Sequence, residues 1–171
     1  MTAPPPSVLV VMGVSGSGKS TIAGMLAERL GWEFRDGDGF HPPANVAKMA
    51  SGQPLTDTDR WPWLEAIAAW IGETVAEGGH GIVACSALKR AYRDILARDH
   101  RGRVRFVFLQ GSKELIGARI GSRHGHFMPP ALLDSQFAAL EPPSAEERPI
   151  TVSVDATPAA IVDEIVRRLA A

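Results

Sequence analysis

The sequence predicts an α/β fold in which a five-stranded parallel sheet is flanked by helices on both faces. The first observation is that short apolar segments, rich in β-branched residues, alternate along the chain with longer segments of helical periodicity. The second is that the first apolar segment, Val8–Met12, leads directly into a glycine-rich loop and then a helix. That order is typical of a phosphate-binding strand–loop–helix unit. The 171 residues suit a single domain, 1–171, with one sizeable core.

Composition narrows the classes of protein to consider. The chain is 45% apolar and 22% charged with a formal net charge of −1, so nothing predicts general attraction to nucleic acid or to a membrane surface. Cys85 is the only cysteine, which rules out an internal disulfide and gives no reason to expect an oxidising compartment. The first residues, MTAPPPS, lack the charged and apolar regions typical of a secretory leader, and the sequence contains no apolar run of membrane-spanning length. We therefore expect a cytoplasmic protein whose partners are small molecules.

The glycine-rich loop indicates nucleotide binding. Residues 13–20, GVSGSGKS, match the G-x-x-x-x-G-K-[ST] pattern, whose glycines let several backbone N–H groups point at one anion. Lys19 would act in catalysis by neutralising the β- and γ-phosphates of ATP, and the Ser20 hydroxyl would hold Mg²⁺. A helix predicted over 21–30 directs its positive end at the same phosphates. The predicted phosphate-binding residues of this unit are Gly13, Val14, Ser15, Gly16, Ser17, Gly18, Lys19, Ser20 and Thr21.

The rest of the chain continues the alternation of strands and helices. Strands are predicted at 32–35, 81–85, 103–110 and 150–154. Helices are predicted at 44–50, in a long segment that has Pro62 in its first turn and ends at 78–79, and at 86–98, 113–122, 132–140 and 157–169. Ser86 and Thr157 are the predicted N-caps of two of these helices. The helices within 42–78 are expected to form the substrate-binding part.

Two carboxylates follow the second predicted strand. If this segment is extended, Asp36 and Asp38 point to the same side, at the strand ends where open parallel sheets bind ligands. A phosphoryl transferase needs two carboxylates there, one to organise Mg²⁺ and one to accept a proton from the attacking hydroxyl. The alternative is that the sequence D-G-D-G forms only a solvated turn.

A basic segment follows the third predicted strand. Lys89 and Arg93 are four residues apart on a predicted helix, so both cations would share a face. With Tyr92 beside them they could clamp an anionic, hydroxylated ligand. The alternative is a solvated basic helix face. Cys85, within the strand, is interpreted as a small core residue rather than a nucleophile.

A third group of basic residues borders a segment that resembles a lid. Residues 123–130 contain a glycine, two prolines and two histidines, a composition typical of a loop that closes over bound phosphates. Arg123 would be the charged tip of this lid and a catalytic group, because arginines stabilise the charge of a transferred phosphoryl group. Arg119 lies four residues earlier and would share its face as a phosphate-binding residue.

The arrangement resembles the nucleoside-monophosphate-kinase-like group of P-loop small-molecule kinases, and within it the gluconokinases of the thermoresistant type. The resemblance covers nearly the whole chain, with a block at 36–64 that is far more specific than the phosphate loop. At position 39 the family usually has a hydrophobic or polar residue, and this chain has Gly39. The matching blocks are MGVSGSGKS at 12–20, DGDGFHPPANVAKMASGQPLTDTDRWPWL at 36–64, CSALKRAYRD at 85–94 and GHFMPPALLDSQFAALEP at 125–142.

The resemblance implies transfer of the γ-phosphoryl group of ATP to the 6-hydroxyl of D-gluconate, with Mg²⁺ as cofactor. The product would be 6-phospho-D-gluconate, which feeds the pentose phosphate pathway, and the family suggests a homodimer. By analogy with shikimate kinases, Asp36 would be the Mg²⁺-side carboxylate and Asp38 the base, with Arg123 as the lid arginine. Asp155 and Thr157 would lie beside the adenine. Gluconate needs a cationic clamp, here His41, Arg60, Lys89 and Arg93, and hydrogen-bonding side chains, here Asp38, Ser86, Tyr92 and Gln136.

Two other classes of protein remain to be weighed. One is a kinase for another acceptor, such as shikimate or a nucleoside monophosphate, which the block at 36–64 disfavours. The other is a GTPase-like switch, since Asp36 and Gly39 fit a loose D-x-x-G pattern. A switch of that kind would need the guanine-recognising sequence N-K-x-D, which this chain lacks.

Overall fold

The strands form the all-parallel sheet that the sequence predicts. The computed structural model describes residues 6–14, 16–53, 55–98, 100–121 and 130–170. Within them, five parallel strands lie in the order β2-β3-β1-β4-β5, which confirms the predicted fold class. The strands are β1 (Val8–Met12), β2 (Glu33–Asp36), β3 (Gly81–Ala84), β4 (Val104–Gln110) and β5 (Ile150–Ser153).

Helices connect the strands, and two helices, α2 and α3, lie between β2 and β3. The described helices are α1 (Lys19–Leu30), α2 (Pro43–Ala50), α3 (Asp57–Ala76), α4 (Arg90–Ala97), α5 (Lys113–Gly121), α6 (Pro130–Ala139) and α7 (Pro158–Ala170). Two short 3₁₀ turns, Gly37–Phe40 and Ala145–Glu147, follow β2 and precede β5. None of the helices in the described ranges is long and apolar enough to cross a lipid bilayer.

The central strand β1 divides the core into two layers because successive side chains of a strand point to opposite faces. Leu9 and Val11 pack with α1 and α7, whereas Val8, Val10 and Met12 pack with α3 and α4. All five side chains of β1 are fully buried, as expected for a central parallel strand. Helices therefore cover both faces of the sheet, as predicted.

Two local predictions were wrong. Ser86 does not cap the helix after β3, because α4 begins at Arg90 with Lys89 as its N-cap. The backbone between them turns at Ala87, which has a φ of 45°. The segment that contains Asp36 and Asp38 is also not extended throughout, because β2 ends at Asp36 and a 3₁₀ turn follows.

The strand order brings the chemically interesting loops to one edge of the sheet. β1 pairs with β3, and β3 pairs with β2, all in parallel. The segments that leave the carboxyl ends of these three strands are therefore neighbours. They are the glycine-rich loop after β1, the turn after β2 and the Ser86–Lys89 segment after β3.

Candidate active site

The glycine-rich loop presents the bare N-terminus of a helix. Gly18, with a φ of 96°, is the N-cap of α1, and no side chain caps this end. The left-handed conformation of Gly18 favours glycine, and open space surrounds the position of a Cβ there. Because the first N–H groups of a helix lack intrahelical partners, they are available to an anion. Lys19 Nζ donates to the carbonyl of Val14 at 3.0 Å, so its ammonium lies inside the loop.

Ser17 adds an unpaired polar group to the loop. It is 2% exposed, and its Oγ is a buried side-chain oxygen without a hydrogen-bond partner in the described part of the chain. Such a group lowers stability unless a ligand or water satisfies it. A Cβ at Gly13 would lie 2.8 Å from this oxygen, which explains why glycine stands there. These features fit a loop built around a bound phosphate.

Ser20 and Asp36 form a pair of oxygen donors at the same edge. Ser20 Oγ donates to Asp36 Oδ2 at 3.0 Å, although the residues are 16 positions apart. Mg²⁺ prefers oxygen ligands and usually takes only one or two protein groups plus phosphate and water. Across the described ranges, no group of three or more His, Cys, Asp or Glu side chains could hold a metal. The pair therefore fits Mg²⁺ bound jointly with a nucleotide.

The turn after β2 places the second carboxylate. Asp36 Oδ1 accepts the backbone N–H of Asp38 at 3.0 Å and caps the 3₁₀ turn. Gly37 is required at its start, since a Cβ there would lie 2.3 Å from the carbonyl oxygen of Ala84. Partial burial lowers the pKa of Lys19, and the nearby charges of Asp38 and Asp36 oppose this shift. Both carboxylates thus lie close to the loop lysine.

A second cluster gathers three of the predicted substrate-binding residues around a carboxylate that the sequence analysis missed. Asp57 accepts from Tyr92 Oη at 2.5 Å, and its oxygens lie 3.3 Å from Arg60 Nη1 and 3.4 Å from Lys89 Nζ. The Tyr92 hydrogen bond, followed by those charges, lowers the pKa of Asp57. Asp57 follows a helix-capping Thr56, where aspartate is common, so no local signal distinguished it.

Arg93 is placed differently from the other predicted cations. It is 1% exposed, and its guanidinium pairs with both carboxylate oxygens of Glu147 at 2.7 and 3.3 Å. Its Nη1 donates to the carbonyls of Ala87 and Leu88 at 2.9 and 3.2 Å. Lys89 and Arg93 therefore point to different partners. The arrangement argues against the predicted role of Arg93 as a substrate ligand.

His41 lies between the turn and the long helix α3. Its ring stacks on Trp63 with centroids 4.5 Å apart, and Trp63 Nε1 donates to the carbonyl of Gly37 at 2.8 Å. Asn45, 3% exposed on α2, contacts His41 Nδ1 through its amide nitrogen at 3.1 Å. Asn45 was not singled out from the sequence, because a lone asparagine in a helix carries no chemical signal.

Some of the predicted nucleotide-binding residues line a cleft beside the loop, and Asp155 and Thr157 are next in sequence to two of its other lining residues, Ala156 and Pro158. Thr157 Oγ1 accepts the N–H of Ala160 at 3.2 Å, which confirms Thr157 as the N-terminal cap of α7. Asp155 is exposed just before it. The residues that line the cleft are Gly16, Ser17, Gly18, Thr21, Ile22, Arg119, Ala156, Pro158 and Ile161. The loop, Arg119 and the segment before α7 are thus neighbours.

The positions of the other predicted residues do not indicate a role in the site. Ser86 is half-buried, and its carbonyl accepts the N–H of Gly13 at 3.3 Å. Gln136 is half-buried on α6. Ser15, Arg123 and the lid predicted at 123–130, apart from its last residue, lie outside the described residues, so these assignments stay predictions.

Comparisons with known proteins place these features in context. A family profile described as "AAA domain" matches residues 8–143. A gluconokinase of Gluconobacter oxydans is 49% identical over 166 residues, covering 97% of this chain and 93% of that protein. The thermoresistant gluconokinase of Escherichia coli is 42% identical over 145 residues, covering 85% and 82%.

Solved structures give the same picture. The crystal structure of a gluconokinase from Sinorhizobium meliloti 1021 is 49% identical, with a TM-score of 0.86 over 96% of this chain and 92% of that one. A shikimate kinase from Aquifex aeolicus, 17% identical with a TM-score of 0.58, covers 95% and 96% and shows the shared fold alone.

Proposed function

Because the chain belongs to the gluconokinase family of P-loop kinases, we propose that it transfers the γ-phosphoryl group of ATP to the 6-hydroxyl of D-gluconate. The products would be ADP and 6-phospho-D-gluconate, an intermediate of the pentose phosphate pathway. The observation that carries the proposal is one of placement. Three groups lie at the same edge of the sheet. They are the phosphate loop, the carboxylates Asp36 and Asp38, and the cluster around Asp57.

The nucleotide would bind through the loop and the N-terminus of α1. Backbone N–H groups of the loop would hold its phosphates, and Lys19 would neutralise the transferred group. The base would lie near Asp155 and Thr157, and Arg119 lines the same cleft. Arg123 would supply a further positive charge from the lid. Ser20 and Asp36 would hold Mg²⁺, which neutralises charge on the phosphates when it is bound.

Asp38 would accept the proton of the attacking hydroxyl. Asp38 lies two residues after Asp36, on the side toward His41. Burial lowers the pKa of His41, and the nearby charge of Asp38 opposes this shift. A carboxylate in this place need only orient the hydroxyl and remove its proton as the phosphoryl group arrives. Asp36 would thus help to bind the metal ion, and Asp38 would contact the acceptor hydroxyl.

The Asp57 cluster would receive the acceptor's carboxylate and hydroxyls. Lys89 and Arg60 supply positive charge, and Tyr92 supplies a hydroxyl. All three contact Asp57, which holds them close together. An open-chain sugar acid needs this combination of one charge clamp and several hydrogen bonds. A nucleoside acceptor would instead need a stacking surface for its base.

ADP release measured over a panel of acceptors tests the proposal. The panel contains D-gluconate, shikimate, nucleoside monophosphates and water alone, and we expect acceptor-dependent turnover with gluconate. The variant Lys19→Ala is the control for contaminating kinases, and its kcat should fall by roughly 10² or more. Equal turnover with shikimate, or turnover without any acceptor, would contradict the proposal. Phosphorus and carbon NMR of the product identify the phosphorylated hydroxyl.

We also propose that the chain forms a homodimer. The support is the family membership alone. Light scattering at micromolar concentration measures the molar mass directly, and a monomeric mass would contradict this proposal without affecting the proposed reaction.

A further inference from the structure

We propose that Asn45 is a positioning residue that holds His41 as the neutral tautomer protonated at Nε2, so that His41 donates a hydrogen bond to an oxygen of the acceptor. The inference deepens the proposed function and rests on it for the identity of the acceptor. It replaces the sequence-based prediction of His41 as a cation. Two hydrogen bonds of Asn45, each with a defined direction, support it.

The first hydrogen bond fixes the orientation of the Asn45 amide. Its Nδ2 lies 2.8 Å from the backbone carbonyl oxygen of Asp59, at the start of α3. A carbonyl oxygen can only accept a hydrogen bond, so the atom that faces it must be the NH₂ group. The opposite orientation would set two oxygens against each other in a buried place. The identity of the amide nitrogen is therefore determined by its backbone partner.

The second hydrogen bond fixes the proton on His41. The same Nδ2, which can only donate, lies 3.1 Å from His41 Nδ1. Nδ1 must then offer its lone pair, because a proton on it would face the NH₂ group. A neutral imidazole with a bare Nδ1 carries its proton on Nε2. The geometry therefore excludes both the other neutral tautomer and the imidazolium ion.

Stacking fixes the plane of the ring. His41 and Trp63 lie nearly parallel, 12° apart, and Trp63 is itself tied to Gly37 in the turn that carries Asp38. The ring thus has one edge bound to α2 and one face bound to α3. Trp63 therefore links the His41 ring to Gly37, the residue directly before Asp38.

The surroundings of His41 leave Nε2 for a ligand. In the described parts of the chain, no side chain or carbonyl accepts a hydrogen bond from it. The charged groups that act on the ring are Asp38 from the turn and Arg60 from α3, and the Lys48–Asp59 ion pair lies next to Asn45. Burial, together with Arg60, lowers the pKa of His41 against the effect of Asp38, which agrees with a neutral ring. The Nε2–H group of His41, near Asp38 and Arg60, is suited to donate to a hydroxyl or carboxylate oxygen of the acceptor.

Nitrogen-15 NMR of the wild-type protein tests the tautomer without any activity measurement. Two-bond correlations from the ring protons distinguish a protonated ring nitrogen from a bare one. We expect His41 to show a bare Nδ1 and a protonated Nε2 at neutral pH, and Asn45→Ala to show a mixture of tautomers. A protonated Nδ1 in the wild-type protein would overturn the proposal, whatever substrate the enzyme uses.

A pair of isosteric variants tests the function of the Nε2 proton. The amide nitrogen of glutamine can reach the position of Nε2, whereas that of asparagine reaches only the position of Nδ1. We expect His41→Gln to keep the KM for gluconate within about threefold and His41→Asn to raise it about tenfold, the worth of one hydrogen bond. The KM for ATP should stay unchanged in both.

The outcomes separate the two proposals. Equal rises of the gluconate KM in His41→Gln and His41→Asn would overturn the donor role, even if the NMR result holds. Absence of gluconate turnover in the wild-type protein would contradict the proposed function. The NMR measurement of the tautomer would still test the role of Asn45, because it does not depend on activity. For Asn45→Ala, a raised gluconate KM with an unchanged ATP KM distinguishes positioning of His41 from general loss of structure.

Discussion

At the scale of single residues, Asp36 and Asp38 have different partners although they are two positions apart. Asp36 ends β2 and is held by Ser20 and by the N–H of Asp38. Asp38 lies in the 3₁₀ turn, where its side chain is exposed. The turn separates the carboxylate tied to the phosphate loop from the one to which we assign the acceptor hydroxyl.

We expect Asp38→Asn to lower kcat by roughly 10²–10⁴, the usual effect of removing a positioned general base. The substitution keeps the shape of the side chain and removes its basicity. Binding of ATP and Mg²⁺, measured by calorimetry, should be nearly unchanged.

Asp36→Asn is the matched variant for this measurement. Because Asp36 contacts Ser20, its loss should weaken nucleotide binding or raise the Mg²⁺ concentration required. If the two variants exchange these behaviours, the roles assigned to the two carboxylates are inverted.

Asp57 is the centre of the proposed substrate clamp, and it contacts the side chains of Tyr92, Arg60 and Lys89. We expect Asp57→Asn to raise the KM for gluconate about tenfold, because a neutral amide holds the three side chains less firmly than a carboxylate does. The KM for ATP should not change. Steady-state kinetics with each substrate varied in turn makes the comparison.

Asp94→Asn is the control, because Asp94 pairs with Arg90 and Arg101 outside the clamp. It should leave both KM values unchanged. A lower gluconate KM in Asp57→Asn would show that Asp57 competes with the substrate carboxylate instead of preparing its site.

At the scale of secondary structure elements, a buried ion pair fastens the start of α4 to the turn before β5. Arg93 and Glu147 have side chains 1% and 5% exposed. Arg93 also holds the carbonyls of Ala87 and Leu88, directly before Lys89. The pair therefore positions the segment that delivers Lys89 to the clamp.

We expect Arg93→Met to lower the free energy of unfolding by about 3–5 kcal/mol, because it leaves a buried carboxylate and two carbonyls without their partner. Urea denaturation measures this change. Arg29→Met is the control: its pair with Asp163 is half exposed, so the loss should stay below about 1 kcal/mol. Equal losses in both variants would contradict the structural role of Arg93.

The same pair makes stability depend on pH. Burial would raise the pKa of Glu147, but hydrogen bonds from Arg93 and the N–H of Ser144 outweigh it, and the net shift is downward from 4.5. A carboxyl with a lowered folded-state pKa contributes stability that is present above 4.5 and is lost as the pH falls through the folded value. We expect Glu147→Gln to be less stable at neutral pH and to lose less stability on acidification. Parallel pH-dependences for variant and wild type would contradict this assignment.

At the scale of the whole molecule, the covered sheet makes the one cysteine a probe of unfolding. Cys85 directly follows β3 and is 2% exposed, which confirms the prediction of a core residue, and burial raises the pKa of its thiol to about 12. The thiolate is the reactive form, so the folded protein should resist a disulfide reagent at pH 8. The denatured chain should react with one equivalent. Rapid stoichiometric reaction of the folded protein would contradict the buried placement.

Sequence reasoning succeeded where the signal lies between neighbours in the chain. Strand β1, the loop with Lys19 and Ser20, and the cap Thr157 all follow from patterns within a few residues. It failed at Ser86, because a capping residue after a strand does not reveal that the backbone turns at Ala87 before the helix begins. The capping propensity of Ser86 is overridden by tertiary contacts, because Arg93 holds the carbonyls of Ala87 and Leu88 outside the helix.

The sequence by itself determined the alternation of strands and helices along the chain, the phosphate loop and the membership of the family. These depend on periodicity and on motifs that are continuous along the chain. Only the tertiary structure decided that Asp57 joins Lys89 and Tyr92, 32 and 35 residues away, and that Arg93 pairs with Glu147, 54 residues away. The proton position proposed for His41 also rests on contacts that only the tertiary structure gives. The reason is physical: the direction of a side chain, and the partner that satisfies it, are set by packing between segments that no local pattern relates.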